Sequence, residues 1–318
     1  MWGDIAIAFT IAFVTAFMLT PHTIKLAKRL GAVDTPKDQR RINKITMPRL
    51  GGLAVIIGFI VSIVYLLLVM SIEGNIDLLE DNTHLKLTGF FLGSVVISIT
   101  CFFDDVKGVK AVIKLIAQLI AAIICVRFGV VMENINLPFV DGSKIPVAVY
   151  EIITIFWIVG ITNALNLIDG LDGLSSGCMI VALAPFILFA VGQNEIGLAV
   201  FLLAVLGSLL GFLKNNFFPA KIFMGDTGSL ALGGLLAACA MVLKKEILLI
   251  IIGGIFVMET LSVVLQVGSF KLTRKRIFRM APLHHHFELG GMNEKSVVFM
   301  FWTIELVFAL VGYLLGVM

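Results

Sequence analysis

Charge is what this chain has least of. Of its 318 residues only 14% are Asp, Glu, Lys or Arg, and 59% are hydrophobic. Soluble domains carry about 25% charged residues. No soluble domain can be cut from such a chain, and a mean hydropathy of +1.05 points to a polytopic membrane protein. Cysteine is scarce as well. Cys101, Cys125, Cys178 and Cys239 stand far apart inside apolar runs, with no Cys-x-x-Cys pair, which reads as free thiols packed against helices or lipid. The chain opens Met-Trp-Gly-Asp without a basic n-region, and Lys25, Lys28 and Arg29 follow the first apolar run. That run is therefore expected to stay in the membrane. No repeat and no low-complexity tract is visible.

What is present is a series of ten apolar stretches, each near the roughly 20 residues a bilayer requires. They cover about 4–24, 51–71, 87–103, 111–129, 149–167, 174–192, 196–213, 228–243, 247–268 and 296–316. The expected fold is all-α, with ten transmembrane helices in one membrane domain spanning 1–318. An even number puts both termini on one side. Nineteen of the 24 Lys and Arg fall in the segments 25–49, 104–114, 166–173, 214–227 and 271–295. The other five, Lys86, Arg127, Lys144, Lys244 and Lys245, fall on the opposite face. Positive residues collect on the cytoplasmic side, so both termini are expected outside. On that outer side, Glu73, Asp77, Glu80 and Asp81 read as a solvated loop, and the Asp-Gly within 135–146 reads as a small β-hairpin.

The polar residues that lipid would not tolerate lie on the cytoplasmic face. Asp104 and Asp105 close the third span, about 100° apart on a helix, so one ligand need not take both. Lys114 sits one turn inside the next helix, where a lone cation calls for an anion partner. In Asn163-Ala-Leu-Asn-Leu-Ile-Asp-Gly-Leu-Asp-Gly173, the residues Asn163, Asn166, Asp169 and Asp172 are spaced by threes. On a continuous helix they would share one half of the surface, and carboxylates there are expensive unless paired or bound to metal. Gly225-Asp226-Thr227-Gly228 reads as a tight turn into the eighth span. Its backbone N–H groups suit phosphate, and Asp226 suits a cation held by the same phosphates, or else serves as an N-cap. The His284, His285, His286 triplet follows the basic run 271–279. It lacks zinc-ligand spacing and fits phosphate better. Paired Gly253 and Gly254 predict a bend or break in the ninth span. Acids for Mg²⁺ and bases for phosphate, facing lipid, imply transfer from a phosphorylated cytoplasmic donor to a lipid acceptor.

Four stretches, Pro48-Arg-Leu-Gly-Gly-Leu53, Phe103-Asp-Asp105, 163–173 and Phe223-Met-Gly-Asp-Thr-Gly-Ser229, carry a resemblance across nearly the whole chain. It resembles the polyprenyl-phosphate N-acetylhexosamine-1-phosphate transferases. Within them, Arg276-Ile-Phe-Arg-Met-Ala-Pro-Leu-His-His-His-Phe-Glu-Leu289 is similar to the phospho-N-acetylmuramoyl-pentapeptide transferase branch. The first cytoplasmic loop, with Asn43 where a His is common, looks more like the branch that transfers GlcNAc-1-phosphate. The last loop is taken as the guide because the resemblance places it beside the nucleotide-sugar.

The resemblance implies a ten-helix fold and a homodimer in the bacterial cytoplasmic membrane, with no nucleic-acid partner. It implies Mg²⁺-dependent transfer of phospho-MurNAc-pentapeptide from UDP-MurNAc-pentapeptide to undecaprenyl phosphate, giving lipid I and UMP for peptidoglycan synthesis. Asp226 would bind Mg²⁺, Asp104 would activate the lipid phosphate, and Asp105 would support it. Asn166, Asp169, Asp172 and Gly225 would shape the nucleotide pocket, Phe223 would stack on uracil, and Lys114, His284, His285 and His286 would engage phosphates. A secondary transporter also needs intramembrane acids and broken helices. Here, though, the polar residues gather at one face rather than at the midplane.

Overall fold

The computed structural model describes residues 2–35, 46–73, 83–132 and 146–318. Asn43, the acidic positions 77–81 and the hairpin stretch up to residue 145 lie outside the described residues. Twelve helices and one two-stranded pair are present among those described. In chain order they are α1 (Trp2–Leu30), β1 (Val33–Asp34), β2 (Met47–Pro48), α2 (Gly51–Glu73), α3 (Thr83–Lys107), α4 (Ala111–Arg127) and α5 (Val147–Leu167). Then come α6 (Leu174–Gly192), α7 (Ile196–Asn216), α8 (Gly225–Val242), α9 (Glu246–Ile252), α10 (Gly254–Thr273), α11 (Leu283–Glu288) and α12 (Glu294–Val317).

Nine of these, among the described residues, are long and apolar enough to cross a bilayer. They include α10 but neither α9 nor the 17-residue α4. Between its ends a helix satisfies its backbone groups internally, which is why apolar runs of this length fold so. Burial sorts them into two layers. The most apolar 18-residue window of α8 is 94% buried, against 72% for α6, 61% for α7 and 22% for α10. The central helix α8 owes this to Gly and Ala. A Cβ on Gly233 would press on the Thr162 backbone of α5, and one on Gly52 would collide with Gly228, so small residues let the backbones approach closely. The outer helices turn Leu, Ile, Val and Phe outward, as with Leu265, Phe156 and Leu314, where lipid replaces water as the solvent. All four cysteines are free and buried.

The expected ninth span is broken at the predicted place. Helix α9 ends at Ile252, Gly253 leaves the helix (φ −94°, ψ 37°), and α10 starts at Gly254. A Cβ on Gly254 would strike the Phe308 ring of α12 and one on Gly312 would strike Ile252. The glycines thus serve both a break and a close helix contact. The pair β1–β2 is antiparallel, with Val33 opposite Pro48 and Asp34 opposite Met47. From β2 the chain passes through Arg49 and Leu50 to the start of α2 at Gly51.

Candidate functional site

Three helix ends meet where the acids lie: the C-terminus of α3, the first turn of α4 and the N-terminus of α8. The start of α8 is fixed by Gly225, whose φ of +74° favours glycine and whose missing Cβ would collide with the Arg49 carbonyl oxygen. The helix begins at Gly225, three residues earlier than the apolar pattern implies, so the expected turn is its first turn. Asp226 is not its own helix's cap. Asp105 caps it from α3: its Oδ1 accepts from Asp226 N (3.1 Å), and its Oδ2 accepts from Thr227 N (3.0 Å) and Thr227 Oγ1 (2.7 Å). That side chain is 0% exposed, and both its oxygens are engaged in holding α8.

Asp104 turns the other way, as the 100° step predicts. Its Oδ1 accepts from Val109 N at 2.6 Å and its Oδ2 from Lys114 Nζ at 2.9 Å. Lys114 also donates to Asp226 Oδ2 at 2.7 Å. The anion partners expected for Lys114 are therefore two of the chain's own acids, drawn together around one ammonium. On the far side of Asp226, Oδ1 lies 3.5 Å from Arg49 Nη2, and Arg49 Nε lies 3.7 Å from Asp105 Oδ1. Burial works against the Arg49 charge, but Asp105 and Asp226 outweigh it and raise the guanidinium pKa above its ordinary value.

The α5–α6 segment departs from the expected single helical face. Helix α5 ends at Leu167, so Asp169 and Asp172 stand in the turn that follows, closed by Gly173 at φ +76°. Asn163 pairs with Gln118, donating from Nδ2 to Gln118 Oε1 at 2.6 Å. Asn166 Oδ1 accepts from Ser229 Oγ of α8 at 2.8 Å. Asp169 approaches the α8 start. Burial and then the Asp226 charge push its pKa up to about 7, while the Gly225 N–H opposes the shift. Asp172 is buried and its pKa is raised by that burial, against the Ala220 N–H that binds Oδ2 at 2.7 Å. Asp172 N donates to Glu294 Oε1 at 2.9 Å, and Asp172 Oδ1 is buried without a hydrogen-bond partner among the described residues.

The three histidines do three different things. Glu259 of α10, 0% exposed, accepts from Leu283 N (2.6 Å) and His284 N (3.1 Å) and so caps the short α11. Its Oε1 also lies 3.2 Å from His284 Nδ1. His284 is buried, and that burial lowers its pKa despite Glu259. Its Nε2 packs on Gly170 so closely that a Cβ there would collide with it, which seats the last loop on the α5–α6 turn. His285 pairs with Glu288 Oε2 at 2.8 Å. His286 Nδ1 accepts from Arg279 N at 3.0 Å and faces the Phe278 ring edge-on. Phe223 is half-buried, its backbone pinned between Pro48 and Gly51.

Arg49, Glu259, Glu294 and Ser229 belong to this site but were not singled out from the sequence. Glu259 had a signal, a lone carboxylate inside an apolar run. Arg49 stood in a quoted motif among seven other basic residues of its loop, with nothing to separate it from them. Among the described residues no group of three or more His, Cys, Asp or Glu forms a metal cage. Mg²⁺ takes one or two carboxylates and completes its shell with water and substrate phosphates. Asp104 and Asp226, already converged on one cation, fit that requirement.

Residues 87–244 match the family model described as glycosyl transferase family 4. The phospho-N-acetylmuramoyl-pentapeptide-transferases of Bacillus thuringiensis (strain Al Hakam) and Bacillus cereus (strain AH187) are each 40% identical to this chain over 321 aligned positions. The alignment covers 96% of this chain and 96% of each relative.

Proposed function

We propose, for a chain that belongs to the phospho-N-acetylmuramoyl-pentapeptide transferases of glycosyl transferase family 4, that the convergence of Asp104, Asp226 and Lys114 is where the phosphoryl group is transferred. The protein moves phospho-MurNAc-pentapeptide from UDP-MurNAc-pentapeptide to undecaprenyl phosphate and makes lipid I, a peptidoglycan precursor. We further read the nine long helices and α4 as ten crossings of the bacterial cytoplasmic membrane. Both termini are then outside, the site opens to the cytoplasm, and the enzyme is a homodimer. Nineteen of 24 basic residues on the site's face support that orientation.

The single observation that carries the site is the meeting of three helix ends on Lys114. Phosphoryl transfer needs alignment and charge neutralisation more than covalent chemistry. Asp226, with Asp104 beside it, would hold Mg²⁺, which when bound neutralises diphosphate charge. Lys114 keeps the two acids together and offers an ammonium to an incoming phosphate. Asp104 accepts the proton of the lipid phosphate. Asp105 holds the first turn of α8, and with it Asp226, in place. Asn166, Asp169, Asp172 and Gly225 form the nucleotide side, and Phe223 offers its ring to uracil. Of the three histidines expected to engage phosphates, His285 and His286 are left for that role, because His284 is buried between Glu259 and Gly170. The test is release of UMP in detergent from UDP-MurNAc-pentapeptide and undecaprenyl phosphate with Mg²⁺, against UDP-GlcNAc as competing donor. No UMP, or turnover of UDP-GlcNAc alone, would overturn it.

A further inference from the structure

We propose that Arg49 is a substrate-binding residue whose guanidinium takes the oxygens of a phosphate arriving at Asp226. This rests on the phosphoryl transfer proposed above. The residue's backbone is tied to the start of α8. Arg49 N donates to Ala32 O (3.0 Å), Gly51 N to Phe223 O (3.0 Å), Gly52 N to Met224 O (2.7 Å), and Phe223 N to Pro48 O (2.8 Å). Its own carbonyl oxygen abuts Gly225. Arg49 therefore keeps its place relative to Asp226.

The two cations of the site differ in what they have left to give. Lys114 makes short bonds to Asp104 and Asp226. The Arg49 guanidinium stands 3.5 and 3.7 Å from its nearest carboxylate oxygens, outside the usual range of a good hydrogen bond. Asp105, the nearer acid to its Nε, already accepts three donors from α8. An arginine has five N–H donors in a fixed fork, and this side chain is 35% exposed, against 24% for Lys114 and 11% for Asp226. A phosphate entering here meets Asp104, Asp105, Asp169 and Asp226, which repel it. It needs a cation that is open to solvent and has donors to spare. The guanidinium is placed for that, and its planar fork matches two phosphate oxygens where an ammonium matches one. The phosphate is either that of the lipid acceptor or one of the donor's diphosphate. The chemistry is shared, and the measurement separates them.

The experiment compares Arg49→Lys and Arg49→Gln with the parent, reading KM for undecaprenyl phosphate and for UDP-MurNAc-pentapeptide separately, kcat, and the thermal midpoint in detergent. Arg49→Lys keeps the charge facing Asp105 and Asp226 but loses the fork. We expect it to hold the parent's midpoint while one KM rises by about tenfold or more, the scale of one charge-assisted hydrogen bond, with the loss falling mainly on KM. The substrate whose KM rises is the one whose phosphate Arg49 holds. Parent-like KM values for both substrates in Arg49→Lys overturn the assignment. An unfolded Arg49→Gln beside such an Arg49→Lys would mean that the charge serves the fold alone. A parent that releases no UMP overturns the transfer reading first, and this assignment with it.

Discussion

Replacing Asp105 by Asn changes one atom and should cost more stability than any other isosteric change at the site. The carboxylate accepts three hydrogen bonds, from Asp226 N, Thr227 N and Thr227 Oγ1, and its side chain is fully buried. An amide keeps one acceptor oxygen and puts an NH₂ where the other stood. If the oxygen faces Asp226 N, the NH₂ faces the Thr227 N–H, and a buried donor is left opposed by a donor. The Thr227 hydroxyl can turn round to accept, so one bond of the three is lost outright. The rest lose their charge assistance. A lost bond to a charged group is worth about 1.5–3 kcal/mol, and a stranded buried donor about 1–3 kcal/mol. Allowing for overlap, the expected cost is about 2–4 kcal/mol, or a thermal midpoint lower by roughly 5–10 °C. The assay is thermal unfolding of purified protein in detergent, with Asp104→Asn as the companion. Asp104 caps no neighbouring helix, an amide in its place can still accept from Val109 N, and Lys114 keeps Asp226 as a partner. Its variant should therefore lose clearly less of the thermal midpoint than Asp105→Asn. An Asp105→Asn protein that unfolds at the parent's temperature would refute the capping role, since nothing else in the site could absorb that loss.

Asp104→Asn should instead change the pH–rate profile, removing its acidic limb, because an acid that accepts a proton works only when ionised; an unaltered limb would exclude Asp104 as the base. Asp226→Ala should keep a monodisperse size-exclusion profile and lose nearly all activity, and an active variant with the parent's Mg²⁺ dependence would remove it from the metal assignment. His284 is held neutral, with a pKa below the ordinary 6.5, so the unfolded chain takes up its proton first on acidification. Its contribution is fully present above that ordinary value and is lost as pH falls through the folded one. The parent's midpoint should therefore fall more steeply than that of His284→Asn from pH 7.5 to 5.5, and parallel curves would count against a buried neutral imidazole.

Much of this molecule is readable in its sequence because lipid is an unforgiving solvent. Apolar length located the long helices, though not the six-residue α11, and the interruption predicted inside one, at Gly253–Gly254, is where α9 gives way to α10. The opposed directions of Asp104 and Asp105 followed from helix geometry. The spacing by threes in Asn163–Asp172 misled for a physical reason. It assumed a continuous helix, whereas α5 stops at Leu167, and Asp172 then satisfies the Ala220 N–H and is itself reached by Glu294. Periodicity cannot show which residue from 50 or 120 positions away will supply a partner. For the same reason the histidine triplet reads as one motif but separates into a buried ring on Gly170, a partner of Glu288 and an acceptor for Arg279.

Two roles recur among the carboxylates of the site and its supports, and the difference between them follows from how helices start inside a membrane. Each helix N-terminus leaves N–H groups without partners, and in lipid each costs several kcal/mol if none is found. Three starts here are met by an acid from another helix. Asp105 of α3 serves α8, and Glu259 of α10 serves α11. Glu305 of α12, 0% exposed, accepts from Ile255 N at 3.2 Å at the broken start of α10. Asp105 and Glu259 have both oxygens committed to these donors, while Glu305 commits one and its Oε1 is buried without a hydrogen-bond partner among the described residues. The value of each lies in what it fixes. Glu305 sets the direction of α10 just past its break. One turn later, α10 presents Glu259, which sets α11 and His284 against Gly170. Asp105 in the same way sets the turn that bears Asp226. Asp104 and Asp226 differ in kind, because an oxygen of each rests on the Lys114 ammonium and side-chain cations can exchange for substrate or metal. An acid whose oxygens bind cations can take part in chemistry, and an acid whose oxygens bind a helix start decides where that chemistry happens.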